Sequence, residues 1–218
     1  MRIFRYLCVV TVLGILGCSA DAVDPQSAGT SFFPLSVGNR WVFQSDRVDK
    51  ATIPTTQLDS LVVTSRAKAD GHTYYHIVGS WPGFNSGGLW VRRDSSGHLV
   101  WAQSPGTDMG MLFDFDAAVG QRWPLGGGFG DCLKSLQLLD DYAVVNAPYG
   151  RFDGVRQLGG GWIDCTDVGW SADFARGVGP VRWESITIAG PTSWLLVSAT
   201  IQDDASPLPE GSRVVTGE

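Results

Sequence analysis

Apolar and polar side chains alternate with a period of two along most of this chain, rather than with the 3.6-residue period of a helix. The alternation is visible in residues 41–46, 61–66 and 73–78, and it predicts half-buried strands. The clearest local element is a hairpin, in which residues 89–93 and 98–102 flank a turn of Asp, Ser and Gly.

Helical patterns are scarce in the rest of the chain. Residues 133–141 fit either a strand or two turns of helix, and residues 171–176 fit one helical turn. Together with 28 glycines and many β-forming residues, these patterns predict an all-β protein. We expect one antiparallel domain, a curved sheet or open barrel of about nine to eleven strands with little helix. Five later segments predict strands: Tyr142–Asn146, Val155–Leu158, Trp162–Cys165, Val181–Ile188 and Trp194–Ile201.

One short pattern occurs twice at a constant offset of 82 residues. The segment 33–41 aligns with 115–123 through shared Phe, Val, Gly, Arg and Trp, and 178–183 is a looser copy. The pattern predicts a turn that needs glycine, followed by a strand that starts with a buried Trp. Two similar β halves and a chance match of common turn chemistry are both open interpretations.

The N-terminus has the pattern of an export signal. Arg2 and Arg5 precede an uncharged run of twelve residues, Tyr6 to Gly17. A helix needs about 20 apolar residues to span a bilayer, so this run matches a signal peptide instead.

The segment that ends at Cys18 resembles the lipobox of bacterial lipoproteins, although Leu16 is bulkier than the residue usual there. The resemblance implies cleavage before Cys18, a diacylglycerol on its thiol, an acyl chain such as palmitate on its new amino group, and anchoring in the cell envelope. Ser19 resembles the sorting residue of outer-membrane lipoproteins. The alternative is an ordinary secretory signal with an incidental cysteine.

These features divide the chain into four parts. They are a signal peptide (1–17), a lipidated cysteine with a flexible tether (18–31), a β domain (32–202) and a loose C-terminal tail (203–218). The tether reaches ~45 Å when fully extended.

The mature chain is acidic. Loss of the two signal-peptide arginines leaves 14 of 16 basic side chains against 22 acidic ones, a net charge of 14 − 22 = −8. This negative field disfavours nucleic acid and anionic lipid headgroups as partners.

Two cysteines remain in the mature chain besides Cys18. In an oxidising compartment, Cys132 and Cys165 predict a disulfide. The bridge would close a loop of 33 residues and add ~3–4 kcal/mol of stability. Two separately buried thiols are the alternative, and no histidine lies within thirty residues to complete a metal site.

Three segments resemble a group of uncharacterised bacterial secreted and lipoprotein domains: an opening Phe32–Trp41, a middle Ala147–Phe152 and a closing Phe174–Val181. The resemblance spans most of residues 32–201. It implies a β-rich envelope domain, similar to the open barrels of lipoprotein-carrier folds, and brings no agreed activity and no catalytic residues. Arg176 stands where the closing signature often has Pro.

The histidines do not predict a metal site. His72 and His76 are four residues apart, which is ~13 Å along a strand and too far for one ion to bridge. His98 follows a turn, where we expect an exposed side chain.

The aspartates around residue 114 offer two interpretations. Asp114 and Asp116, with Asp108 or Asp131, form either a calcium site or a solvated loop. Their spacing lacks the dense ligand series of helix–loop–helix calcium sites, so we predict neither a metal nor a cofactor.

Two motifs resemble catalytic or phosphate-binding sites only in part. The glycine-rich segments 126–130 and 159–161 lack the Lys-Ser/Thr of a phosphate cradle and predict loops or bulges. Residues 169–173, Gly-Trp-Ser-Ala-Asp, lack the closing glycine of a hydrolase nucleophile elbow, and three histidines give Ser171 few partners.

The loop that holds Trp81, Phe84 and Asn85 is the candidate ligand site. It lies between predicted strands, where an aromatic ring has no obvious core to enter. Exposed rings there would stack on a sugar or contact a partner. The alternative is a loop that folds its aromatic rings back over the rim of the sheet.

These observations favour an envelope protein, anchored to the membrane by its lipid, that binds or scaffolds and does not catalyse. Its ligand is either an envelope protein or an apolar molecule in the mouth of the curved sheet. A carbohydrate-binding module that uses the aromatic loop is the alternative, and a periplasmic hydrolase that uses Ser171, His72 and His76 is the third.

Overall fold

The computed structural model describes residues 31–45, 57–79, 88–126, 133–160, 169–187 and 190–202, and within them every regular element is a β-strand. The all-β prediction is confirmed, with twelve strands against the expected nine to eleven. In chain order they are β1 (Arg40–Ser45), β2 (Leu58–Ala69), β3 (His72–Gly79), β4 (Leu89–Arg93), β5 (Leu99–Ala102), β6 (Asp108–Phe113), β7 (Arg122–Pro124), β8 (Ser135–Ala147), β9 (Gly150–Gly160), β10 (Gly169–Ala175), β11 (Gly179–Thr187) and β12 (Gly190–Thr200).

The twelve strands form one sheet that consists of two meanders. Its order is β6-β5-β4-β3-β2-β1-β12-β11-β10-β9-β8-β7, with antiparallel pairing between neighbours. The first six strands are one meander and the last six are the other. The β1–β12 ladder joins them, so the first and last strands of the domain pair in the middle of the sheet.

The two outer strands, β6 and β7, approach each other and nearly close the sheet. The indole N–H of Trp123 on β7 donates to the carbonyl of Leu112 on β6 at 3.1 Å. Beside them, a Cβ on Gly126 would lie 1.6 Å from the carbonyl oxygen of Met109. Only glycine allows the chain to pass this close to β6.

Two segments with ambiguous periodicity are strands. Residues 135–147 form the single strand β8, which joins the segment that fitted strand or helix to the strand predicted after it. Residues 171–176 do not form the expected helical turn, because 171–175 belong to β10. Alternate side chains on β10, those of Trp170, Ala172 and Phe174, are all buried, so the two-residue period outweighs local helix propensity.

Aromatic side chains fill the interior between the two meanders. The ring centroid of Phe33 lies 5.4 Å from that of Trp41 and 6.2 Å from that of Phe113. Phe174 is 6.0 Å from Phe33 and 5.1 Å from Phe113. Phe33 precedes β1, so the segment that leads into the first strand supplies the centre of the core.

The repeated sequence pattern builds the same turn twice. Gly38 and Gly120 both have positive φ, at 97° and 84°. The amide of Gly38 donates to Val63 on β2 at 2.9 Å. The amide of Gly120 donates to Leu138 on β8 at 2.7 Å. Each copy therefore pins the start of a meander to its second strand.

Candidate functional site

The six site residues predicted from sequence, Cys18, Trp81, Phe84, Asn85, Cys132 and Cys165, lie outside the described residues. The lipidation site, the aromatic loop and the disulfide therefore remain predictions. The same holds for the strand expected at 162–165. The ends of the aromatic loop are defined, since β3 ends at Gly79 and β4 begins at Leu89.

The two neighbouring histidines lie on strand β3, as the sequence predicts. The ring of His76 stacks on Trp90, its cross-strand neighbour on β4, with centroids 4.7 Å apart. The His76 Nδ1 is 3.3 Å from the hydroxyl of Thr64. His76 thus packs on the outer face of the sheet.

The expectation for His98 is wrong, because two carboxylates flank its half-buried ring. The ring Nδ1 is 3.2 Å from Asp94 and the Nε2 is 3.4 Å from Asp114. Asp94 and Asp114 follow β4 and β6, whose ends meet on one side of the sheet. Nevertheless, no group of three or more ligand side chains in the described parts of the chain is placed to hold a metal ion.

The aspartates weighed as a calcium site, as far as the structure describes them, do not form a group that could hold a metal ion. Asp114 accepts a hydrogen bond from the amide of Asp116, and the carboxylate of Asp116 is 3.4 Å from Arg156. Asp108 instead belongs to β6, where it pairs with Arg92, and Asp131 lies outside the described residues.

Ser171 is an ordinary strand residue. It lies inside β10, opposite Gly159 on one side and Glu184 on the other. A nucleophile elbow requires a sharp turn between a strand and a helix, and the described residues on both sides of Ser171 continue the strand instead.

Two arginines cover the aromatic ring at the beginning of the domain. The guanidinium carbons of Arg156 and Arg176 lie 4.9 Å and 4.4 Å from the ring centroid of Phe32. Phe115 stacks on the same ring at 5.4 Å. This group joins the N-terminal segment to β9, to the β10–β11 turn and to the segment after β6. No sequence pattern signals it, because its members are far apart in the chain.

The first meander carries a partly solvated ion pair on its outer face. The Nε of Arg92 donates to Asp108 at 2.9 Å, and the hydroxyl of Tyr74 donates to the same carboxylate at 3.0 Å. The hydrogen bond from Arg92 holds the pKa of Asp108 below its usual value. Burial, reinforced by Asp108, raises the pKa of Tyr74.

The second meander carries a similar pair, in which the effect of burial on the pKa of the aspartate outweighs that of the arginine. The Nε of Arg182 donates to Asp173 at 2.6 Å. Asp173 is completely buried, and its Oδ1 has no hydrogen-bond partner among the described residues. Burial raises the pKa of Asp173 even though Arg182 acts in the other direction.

Exposed apolar side chains concentrate on β8. Five large hydrophobic side chains are exposed in the described ranges, and Leu58 alone lies elsewhere. The other four are Leu139, Tyr142 and Val144 on β8 and Val119 in the turn that hydrogen-bonds to it. We call these four the β8 surface. The sequence contains a signal for it, since residues 142–145 are apolar at both parities, whereas a half-buried strand alternates.

No protein-family model and no curated protein sequence matches this chain. Two loosely similar solved structures are a “putative lipoprotein” of Parabacteroides distasonis and a “putative exported protein with YmcC-like fold” of Bacteroides fragilis. The first is 14% identical, covers 79% of this chain and 99% of its own, and has a TM-score of 0.43. The second is 14% identical, with 78% and 98% covered and a TM-score of 0.46.

A third similar structure is MucB, which is also solved in a complex with MucA from Pseudomonas aeruginosa. The MucB structure is 14% identical, with 90% of this chain and 64% of MucB covered, at a TM-score of 0.34. At TM-scores below 0.5 the likeness is loose, and function has to be inferred from the chain's own residues. Within the described residues, no helix is long and apolar enough to cross a membrane.

Proposed function

We propose that this chain is a lipid-anchored protein of the bacterial envelope whose β domain binds another envelope protein and does not catalyse a reaction. Cys18, at the end of the lipobox-like segment, is the anchor. The partner binds to the outer surface of the domain.

The filled interior is the observation that carries this proposal. An apolar cargo needs a cavity lined by hydrophobic side chains, whereas Phe33, Trp41, Phe113 and Phe174 pack against one another and are at most 2% exposed. Among the two ligand classes expected from sequence, this packing favours a protein at the surface over an apolar molecule inside.

The first described residue is fixed to the body of the domain, which suits an anchored protein. The carbonyl of Ser31 accepts a hydrogen bond from the amide of Gly177 at 2.7 Å. Arg93 donates to the hydroxyl of Ser31 and to the carbonyl of Phe33. A tether that begins at Cys18 therefore joins the domain at a defined point.

Anchoring is tested by mass spectrometry of the native N-terminus together with membrane fractionation. We expect an acylated Cys18 as the first residue, and we expect Cys18→Ser to release the protein from membranes. An unmodified N-terminus on a freely soluble protein would refute the anchor.

Partner binding is tested by cross-linking intact cells that produce the protein at native levels, followed by size-exclusion chromatography of mild envelope extracts. We expect a stoichiometric complex with one protein. A chain that migrates as a monomer, without a cross-linked partner, would exclude a binding role.

Carbohydrate binding is the second candidate, and the stacked pair of His76 and Trp90 favours it. Trp90 is half-buried on the outer face of β4, directly after the loop that contains Trp81. A flat aromatic ring beside polar groups suits a sugar face. On a glycan array this function predicts a signal that Trp90→Ala abolishes, and an array without signal excludes it.

A further inference from the structure

The β8 surface lies on a strand that is paired with β7 along only part of its length. Tyr142 is 80% exposed and Val144 is 49% exposed, whereas Val145, which points to the other side of the strand, is buried. Exposed residues two apart lie on the same face of a strand. Their rings and methyl groups therefore form one continuous patch.

Among the described residues, the sheet edge beside this patch is open. Strand β7 pairs with β8 only through residues 135–137, and the 118–121 turn adds the last bonds at Leu138. Along residues 139–147, no described strand pairs with the side of β8 that faces away from β9. Strand edges of this kind accept an extended peptide as an additional strand.

Acidic side chains lie within the same stretch. Asp140 and Asp141 stand between Leu139 and Tyr142 in the sequence, and Asp140 is exposed. Asp140 also accepts a hydrogen bond from the amide of Tyr142 at 2.8 Å. No cation in the described residues forms an ion pair with either carboxylate. A partner therefore has to supply positive charge as well as apolar side chains.

We propose that β8 is the docking strand for an extended segment of a partner protein in which apolar side chains alternate with Lys or Arg. The apolar side chains pack on Tyr142 and Val144. The basic side chains pair with Asp141, which alternates with Tyr142 along the strand. The main chain pairs along the open edge except at Tyr142, whose amide already donates to Asp140. This inference rests on the proposed partner-binding function and locates it on the fold.

The experiment titrates the mature domain with a synthetic peptide of alternating Lys and Val and measures binding by fluorescence anisotropy. The matched control peptide has Glu in place of Lys. We expect the Lys peptide alone to bind, with an affinity that falls as salt is raised. Asp141→Asn should weaken binding and reduce this salt dependence.

Two variants test the position of the surface. The double variant Tyr142→Thr/Val144→Thr should lose about tenfold or more in affinity, while threonine preserves strand propensity. Leu58→Thr, which removes the exposed apolar side chain on β2, should bind as wild type does. Equal urea-unfolding curves for the three proteins establish that all of them are folded.

Several outcomes would overturn the docking strand. They are no binding of the Lys peptide, equal binding of the Glu peptide, unchanged affinity of the double variant, or concentration-dependent dimers that the double variant abolishes. Recovery of peptide binding only after removal of residues 203–218 would identify the chain's own tail as the occupant. None of these outcomes changes whether a cross-linked complex forms in cells, so the docking strand can be refuted while the proposed function stands.

Discussion

The two six-stranded meanders begin alike and end differently. Each opens with a glycine turn and a buried Trp, and each Trp donates its indole N–H to a carbonyl of the opposite meander. Trp41 bonds to Val178 at 2.6 Å, and Trp123 bonds to Leu112 at 3.1 Å. The first meander starts in a ladder of six register pairs with β12. The second starts at β7, which touches β6 without a ladder.

This difference shows that one local pattern serves both a closed and an open junction. Main-chain hydrogen bonds hold the β1–β12 junction, while the β6–β7 junction depends on side-chain packing and the Trp123 bond. A junction held by side chains separates more easily than one held by a ladder, because the hydrogen bonds of a ladder have to break together. The open edge of β8 lies next to the weaker junction.

The largest effect is expected from removing the two tryptophans. Trp41→Ala should lower the free energy of unfolding by about 3–5 kcal/mol, because it opens a cavity at the centre of the aromatic core and removes a buried hydrogen bond. Trp123→Ala should cost less, because its ring lies at the open junction. Urea titration measures both, with Leu58→Ala as an exposed control that changes little. Equal losses for the two tryptophan variants would contradict the difference between the junctions.

The residues that follow the two turn glycines give the next largest contrast. Asn39 is completely buried, donates to Pro34 and accepts from the amide of Gln202 at 2.6 Å. Its counterpart Gln121 is exposed and accepts from Ala118 at 3.0 Å. Asn39→Ala should cost about 1–3 kcal/mol, since it leaves buried backbone groups unpaired. Gln121→Ala should cost within about 0.5 kcal/mol, and an equal cost in urea titration would show that Asn39 does not tie the two chain ends together.

The sequence predicted the fold class and most strands, because period-two alternation reports which side chains face the core. It predicted the hairpin between β4 and β5 for the same reason. It missed β6, whose Met-Gly-Met sequence has little alternation, and β10, a short segment that also fits one helical turn. Strands of that kind are recognisable only once their neighbours are known.

Site prediction was weaker, because sites depend on contacts between distant residues. The ion pair of Arg182 and Asp173 spans two strands, and nothing in the sequence near Asp173 indicates complete burial. The place of His98 after a turn predicts an exposed side chain, whereas Asp114, in the segment after β6, contacts its ring. By contrast, the apolar run at 142–145 was visible in sequence, and its meaning depended on knowing that β8 lies at an edge.

Alanine at the two turn glycines should cost about 1–2 kcal/mol each, because both have a left-handed backbone that disfavours a Cβ. Around Gly120 the space is open, so strain is the whole cost. At Gly38 a Cβ would also lie 3.0 Å from the side-chain Nε2 of Gln202, which adds a small cost in stability if that side chain cannot move. Gly38→Ala and Gly120→Ala should therefore differ little in thermal unfolding. A cost several times larger at Gly38 would mean that the Gln202 side chain is rigid.

The smallest effect is expected from pH, and it has opposite signs in the two meanders. The pKa of Asp108 is lowered by Arg92, so its stabilising effect is present above about pH 3.8 and is lost as the pH falls through the folded-state value. The pKa of Asp173 is raised by burial, so the folded state holds its proton longer than the unfolded state. Stability therefore falls as the pH rises from about 3.8 through the folded-state value.

The two aspartates can be separated by measuring urea unfolding across pH. Asp173→Asn should flatten the decline in stability above pH 3.8, by less than the about 1.4 kcal/mol per pH unit that one whole proton gives. Asp108→Asn should instead reduce the loss of stability in acid, by a smaller amount because the pair is partly exposed to solvent. If Asp173→Asn steepened the decline, Asp173 would be charged and stabilised by Arg182. The two ion pairs would then be alike, and the contrast between the meanders would be limited to their junctions.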